Sequence, residues 1–135
     1  MQLVMGGNVA KHQAIYILYL TEKCSTKVLI FEGDDLAEVV TDALAIEAGE
    51  NYIAVYVDCS RGVGQSIVAE MEMDLTGPVT ADVAQPRTLS GFELPALELL
   101  HLAQERAGER GVKKILLVDP QGFLRLARTN RYARR

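Results

Sequence analysis

Tyr52–Leu75 reads YIAVYVDCSRGVGQSIVAEMEMDL, and the rest of the chain takes its place around it. In Tyr52–Asp58, Ile53, Val55 and Val57 fall on one face, while Tyr52, Ala54, Tyr56 and Asp58 fall on the other. In Ser66–Leu75, Ile67, Ala69, Met71 and Met73 alternate with Glu70, Glu72 and Asp74. A period of two is the mark of a strand. Between the runs lies Ser60-Arg61-Gly62-Val63-Gly64-Gln65, whose glycines can supply positive φ angles or a bulge. The stretch therefore predicts a β-hairpin with a flexible tip and one acidic face.

Working outward toward the C-terminus, Thr76–Leu89 contains Gly77-Pro78 and Gln85-Pro86, which punctuate a loop, with Val79–Val83 as a short edge strand inside it. A connection of this length is expected to act as a lid or to hide a strand. Ser90-Gly91-Phe92-Glu93 has the spacing of a helix capping box. Pro95 fits better in a first turn, which moves the expected helix start toward Leu94. Leu97, Leu100, Ala103, Gln104 and Ala107 mark that helix's inner side, and Gly108 or Gly111 ends it. Lys113–Val118 reads as a buried strand, and Asp119-Pro120-Gln121-Gly122 as a turn with Pro second and Gly fourth. Phe123–Arg128 follows as a last strand paired back on its predecessor, or as a short helix.

Toward the N-terminus, Gly33-Asp34-Asp35 reads as a helix opening. Leu36, Val39, Val40, Ala43 and Leu44 follow at helical spacing, and Gly49 is the expected stop. Ala14–Leu20 and Lys27–Phe31 are strand-like and form a hairpin across a polar turn, and Gln2–Met5 is a short strand ended by Gly6-Gly7-Asn8. The expected fold is α/β, an α+β sandwich. It has a mixed β-sheet of about five to seven strands packed by two main helices, in the order β-β-α-β-β-α-β-β. Without repeat or linker, residues 1–135 read as a single domain, with 129–135 a basic C-terminal tail.

Composition narrows the class. With 135 residues, 49% of them hydrophobic and 24% charged, the chain can bury a real core and is not disorder-like. Its longest apolar run, Ala14–Leu20, falls well short of the roughly 18 residues of a transmembrane helix, so no membrane role is expected. The start MQLVMGGNVAKHQ lacks a basic-then-apolar plan, so no secretion signal is expected. Cys24 and Cys59 form no CxxC and are too few for a disulfide scaffold, which fits reduced thiols in a cytoplasm, with one disulfide as the alternative. A net charge of −4 argues against a broad nucleic-acid surface. Against that average, Arg125, Arg128, Arg131, Arg134 and Arg135 gather at the end, where they can touch nucleic-acid phosphates or an acidic partner, or simply be solvated.

Three carboxylates are candidates for chemistry. Asp58 ends a buried strand beside the Gly-rich tip, Glu93 opens the second helix, and Asp119 ends the strand after it. If those two strands are parallel neighbours, Asp58 and Asp119 emerge at one sheet edge. Three converging carboxylates could hold Mg²⁺ or Mn²⁺, hard ions that prefer oxygen ligands. In this respect the run from Tyr52 to Leu124 resembles the ribonuclease H-like superfamily. Tyr56-Val57-Asp58-Cys59-Ser60 looks like its first strand and turn, Glu93-Leu94-Pro95-Ala96-Leu97 like its helix start, and Val118-Asp119-Pro120-Gln121 like its second acidic strand. The resemblance implies a metal-dependent nuclease with Asp58, Glu93 and Asp119 as catalytic metal ligands, or a degenerate relative that binds nucleic acid. The chain departs from that pattern at Cys59, where a glycine is usual, and at Pro120, where a serine is usual.

Other motifs are weaker. Gly62-Val63-Gly64-Gln65-Ser66-Ile67 lacks the third glycine of a dinucleotide loop and runs into a strand. Cys59 has no histidine near it in sequence and reads as a plain thiol. His101 reads as a packed or boundary residue of the Leu-rich helix, and His12 as a loop residue without a zinc-spaced partner. The row Glu70, Glu72, Asp74 keeps one strand face wet, or docks a basic patch such as the Arg tail of another copy.

Three readings follow. Because no complete catalytic set is visible, the first is a non-catalytic binding or assembly domain, a homo-oligomer or a component of a larger complex with a protein partner. The second is the Mg²⁺- or Mn²⁺-dependent nuclease. The third is a small-molecule-binding regulatory domain with Thr76–Leu89 as its lid, which requires a mostly apolar pocket beneath that loop.

Overall fold

The structure, a computed structural model, describes residues 12–19, 26–33, 36–59, 67–89 and 91–128, with side chains over 36–58, 67–89 and 91–124. The strands are β1 (His12–Tyr19), β2 (Thr26–Gly33), β3 (Glu38–Val40), β4 (Asn51–Cys59), β5 (Ile67–Thr76), β6 (Leu94–Pro95), β7 (Lys114–Val118) and β8 (Leu124–Arg128). The helices are α1 (Ala81–Ala84) and α2 (Ala96–Arg110), with a 3₁₀ turn at Ala43–Ala45. A mixed five-stranded sheet has the order β3-β7-β4-β5-β6, and β2-β1-β8 form a second, three-stranded sheet. The α/β fold expected from the sequence is present, with its two α-helices beside a mixed sheet.

The alternation of β4 decides the layering. Ile53, Val55 and Val57 pack with Ile115 and Leu117 of β7 against Ala96, Leu99, Leu100, Ala103 and Ala107 of α2. Tyr52, Ala54 and Tyr56 turn the other way with Leu116 and Val118, where Val79, Val83 and Leu89 cover them. Each central strand is thus buried on both faces, with Ile53, Ala54 and Val55 all at 0% exposure. Near-continuous apolar strands of this kind belong to parallel pairings, and β4 does pair parallel with β7. β3 also pairs parallel with β7, from the other side. The crossover from β6 through α2 to β7 supplies the apolar layer that such pairing needs.

Local predictions fare unevenly. The hairpin of β4 and β5 forms, with Cys59 opposite Ile67. Its register shifts between Tyr52 and Ala54, where Asp74 adopts φ 65°, so β5 carries a bulge. The expected helix after Gly33-Asp34-Asp35 does not form: β3 and the 3₁₀ turn occupy its place. Val39 packs on the α2 face and Val40 on the opposite one, which is period two, and the parallel partner β7 outweighs the helical spacing. Asp42 instead caps the 3₁₀ turn, its Oδ1 accepting from the Leu44 N–H at 2.9 Å. Val79–Val83, expected as an edge strand, runs into α1, capped by Thr80. β8 pairs antiparallel with β1 rather than back on β7. His12 opens β1 rather than lying in a loop. Gln2–Met5, Cys24, the hairpin tip at 60–65 and the tail at 129–135 lie outside the described residues.

Two contacts position β3 and the segment after it. Gln104, buried on α2, accepts from the Ala37 N–H and donates to the Ala37 carbonyl, both at 3.0 Å. Lys114 donates to the Ala45 carbonyl at 2.8 Å and lies 3.5 Å from Glu50. Gln104→Leu keeps the volume but strips two buried backbone groups of their partner. It should cost about 1–3 kcal/mol, measurable by urea unfolding. Gly77 is buried against the 47–50 turn, and a Cβ there would collide with the Glu47 carbonyl oxygen. Gly77→Ala should therefore lower the midpoint of thermal unfolding by several degrees, on the order of 1–3 kcal/mol.

Candidate functional site: a cavity at the ends of the parallel strands

Two neighbouring parallel strands, β3 and β7, run out at one sheet edge, and a cavity of about 320 Å³ opens there. Thr41 and Ala43, just past β3, form one side; Leu116, Leu117 and Val118 of β7 form the floor. Asp119, Pro120, Gly122 and Leu124 wrap the end, and Ala84 and Pro86 come over from the segment that covers the sheet. Among the described residues the walls are mainly apolar, with Thr41 and Asp119 as the polar side chains. Leu44, next to Ala43 in the chain, is 88% exposed.

The turn at the end of β7 forms as its residues dictate. Gly122 donates to the Asp119 carbonyl at 3.0 Å and sits at φ 71°, a left-handed conformation that a side chain would strain. The Asp119 carboxylate accepts from the Phe123 N–H at 3.1 Å and the Leu124 N–H at 2.8 Å. Those bonds hold the wall of the cavity in place and direct the chain into β8.

The wall from 84 to 86 is held by a cluster on the same sheet face. Tyr56 donates its phenolic O–H to the Val83 carbonyl at 3.0 Å. Arg87 donates to the same phenolic oxygen at 2.9 Å, lies 3.9 Å above the Tyr56 ring and pairs with Glu72 at 3.1 Å. Val83 and Arg87 bracket Ala84 and Pro86, so this clamp fixes where the cavity wall stands. Burial, and less so the Glu72 carboxylate, push the Tyr56 phenol up to about 12, with Arg87 pulling the other way. Tyr52 is also raised, again mainly by burial and secondarily by Glu72.

The carboxylates singled out from the sequence go to separate tasks. Asp58 and Asp119 do emerge at the ends of parallel neighbours. However, the alternation of β4 puts Asp58 on the Tyr56 face, whereas Asp119 is turned into its own loop. Glu93 accepts from the Gly91 N–H at 2.9 Å, three residues before Ala96 opens α2 rather than in its opening turn. Among the described residues no group of three or more His, Cys, Asp or Glu is placed to hold a metal ion. Of the acidic row, Glu72 pairs with Arg87, and Glu70 accepts from the Phe92 N–H at 3.2 Å. Asp74, displaced by the bulge, pairs with Arg110 at 2.6 Å. All three acids are thus engaged within the chain. Arg125 and Arg128 lie on β8, and Arg131, Arg134 and Arg135 lie outside the described residues. His101 is exposed and lies 3.5 Å from Glu105, one turn along α2. Among the described residues no helix is long and apolar enough to cross a membrane.

Comparison with known families, with curated proteins and with solved structures finds no match for this chain. The likeness to the ribonuclease H-like superfamily therefore rests on the quoted residues alone.

Phenolate absorbance tests the clamp. A tyrosine should ionise near pH 12, and Tyr56→Phe should remove that late step. The sign for stability follows from a folded value above the unfolded one. The contribution is complete below about pH 10, where the unfolded phenol still holds its proton, and is lost as pH rises toward 12.

Proposed function

We propose that this chain is a non-catalytic α/β domain that binds a small, mainly apolar molecule and acts in the cytoplasm. The observation that carries the reading is the cavity at the carboxyl ends of β3 and β7, covered from one side by Ala84 and Pro86. Open α/β sheets take their ligands in crevices at this end of the strands, because the loops that leave there diverge. A volume of about 320 Å³ lies at the small end of ligand sites, room for a compact fragment rather than an extended cofactor. The segment 77–89 serves as the cover, and the Tyr56–Arg87–Glu72 clamp holds it against the sheet.

Assembly remains a second reading through exposed apolar side chains, Leu44 at 88% and Phe92 at 85%. It draws less from the acidic row, whose members already have partners in the chain.

Saturation-transfer NMR against a library of small apolar fragments tests the binding reading. Wild-type protein should bind several weakly, in the millimolar range or tighter. Ala84→Trp, which fills the cavity from an exposed position, should abolish that binding while leaving the thermal midpoint within a few degrees. Equal fragment binding by the two proteins would contradict the assignment.

A further inference from the structure

We propose that the ligand is a cationic amine carrying a compact apolar body, its ammonium group received by Asp119. This rests on the reading of the cavity as a ligand site. Among the described residues, Asp119 is the single charged side chain that lines the cavity, and no Lys or Arg does. A carboxylate can accept about four hydrogen bonds, and the N–H groups of Phe123 and Leu124 take two. The remaining acceptor positions, and the negative charge itself, are available to a ligand.

Those same two N–H bonds pre-orient the carboxylate, so a ligand would not have to order it. Around it stand Leu116, Val118, Leu124, Pro86 and Ala84, whose apolar surfaces suit a hydrocarbon body. Apolar walls also weaken screening, which strengthens the attraction of an ammonium for Asp119. An anionic ligand would meet a like charge in the same surroundings, with no lining cation among the described residues to offset it. Arg87, next to the lining Pro86 in the chain, is engaged with Tyr56 and Glu72. The Thr41 hydroxyl offers a further polar contact at the opposite side.

The test uses three probes of one shape: cyclohexylamine, cyclohexanol and cyclohexanecarboxylate. Each is titrated into the full chain at pH 7 and followed by amide shifts of Phe123 and Leu124 and by calorimetry. The amine should bind about tenfold more tightly than the alcohol, and the carboxylate should bind weakest. Asp119→Asn should bring the amine and the alcohol within about twofold to threefold of each other. Should that variant lose its fold through the 119–124 turn, the three-probe comparison on wild-type protein still decides. If all three probes bind alike, or the neutral or anionic probe binds best, the charge assignment is overturned while the cavity stands as a site. If none binds and the fragment library fails as well, the cavity reading falls and takes this inference with it.

Discussion

The side-chain amide of Gln104 grips the backbone of Ala37 with both its donor and its acceptor, each bond 3.0 Å long, across 67 residues of sequence. A primary amide matches a peptide unit in this way because it carries the same N–H and C=O pair. Here it acts as a short stretch of ladder where no strand is available. The consequence reaches well beyond Ala37. That residue leads directly into β3, which has only three residues and forms an edge of the main sheet. A strand so short cannot hold itself in place by its own hydrogen bonds. With Gln104 anchoring its entry and Lys114 anchoring the 3₁₀ turn beyond it, β3 is fixed against β7 at both ends. Thr41 and Ala43 are then placed to form one wall of the cavity.

The opposite wall depends on a different kind of contact. The segment 77–89 has one short helix and packs few large side chains, so polar contacts do much of the positioning. Tyr56 is central because it belongs to both layers: its ring lies in the sheet's core and its hydroxyl meets the covering segment at the Val83 carbonyl. Arg87 then stacks on the ring, bonds the hydroxyl and pairs with Glu72. Gly77 allows the start of that segment to approach the 47–50 turn closely enough for its N–H to reach the Glu50 carbonyl at 2.8 Å. The cavity is thus the space left between two restrained pieces of chain.

Much of the fold was legible because it follows from local pattern. The two faces of β4 could be read from Tyr52 to Val57, and the stop of α2 and the turn at 119–122 from their glycines. The failures have a common cause. At 36–44 the apolar spacing suits a helix, and only the parallel neighbour β7 makes a strand of it. At Asp74 the alternation looks unbroken in sequence, but the bulge turns the side chain toward Arg110. The site was legible only as a need for an apolar pocket beneath 76–89. Arg87 stands as the only cation in that segment, which was a usable signal. Thr41, Ala84 and Pro86 carried none, since their role arises where three distant segments meet. The carboxylates drew attention by type, yet Asp119 and Glu93 serve their own loops through backbone N–H groups, a common use of acids at strand and helix ends.

The most direct test of the central claim is a crystal structure of the protein soaked with a bound apolar fragment. The account predicts density for the fragment between Pro86 and the Leu116–Val118 floor, at the carboxyl ends of β3 and β7. Density only on the exposed surfaces of Leu44 or Phe92, with the cavity empty at saturating fragment, would contradict it.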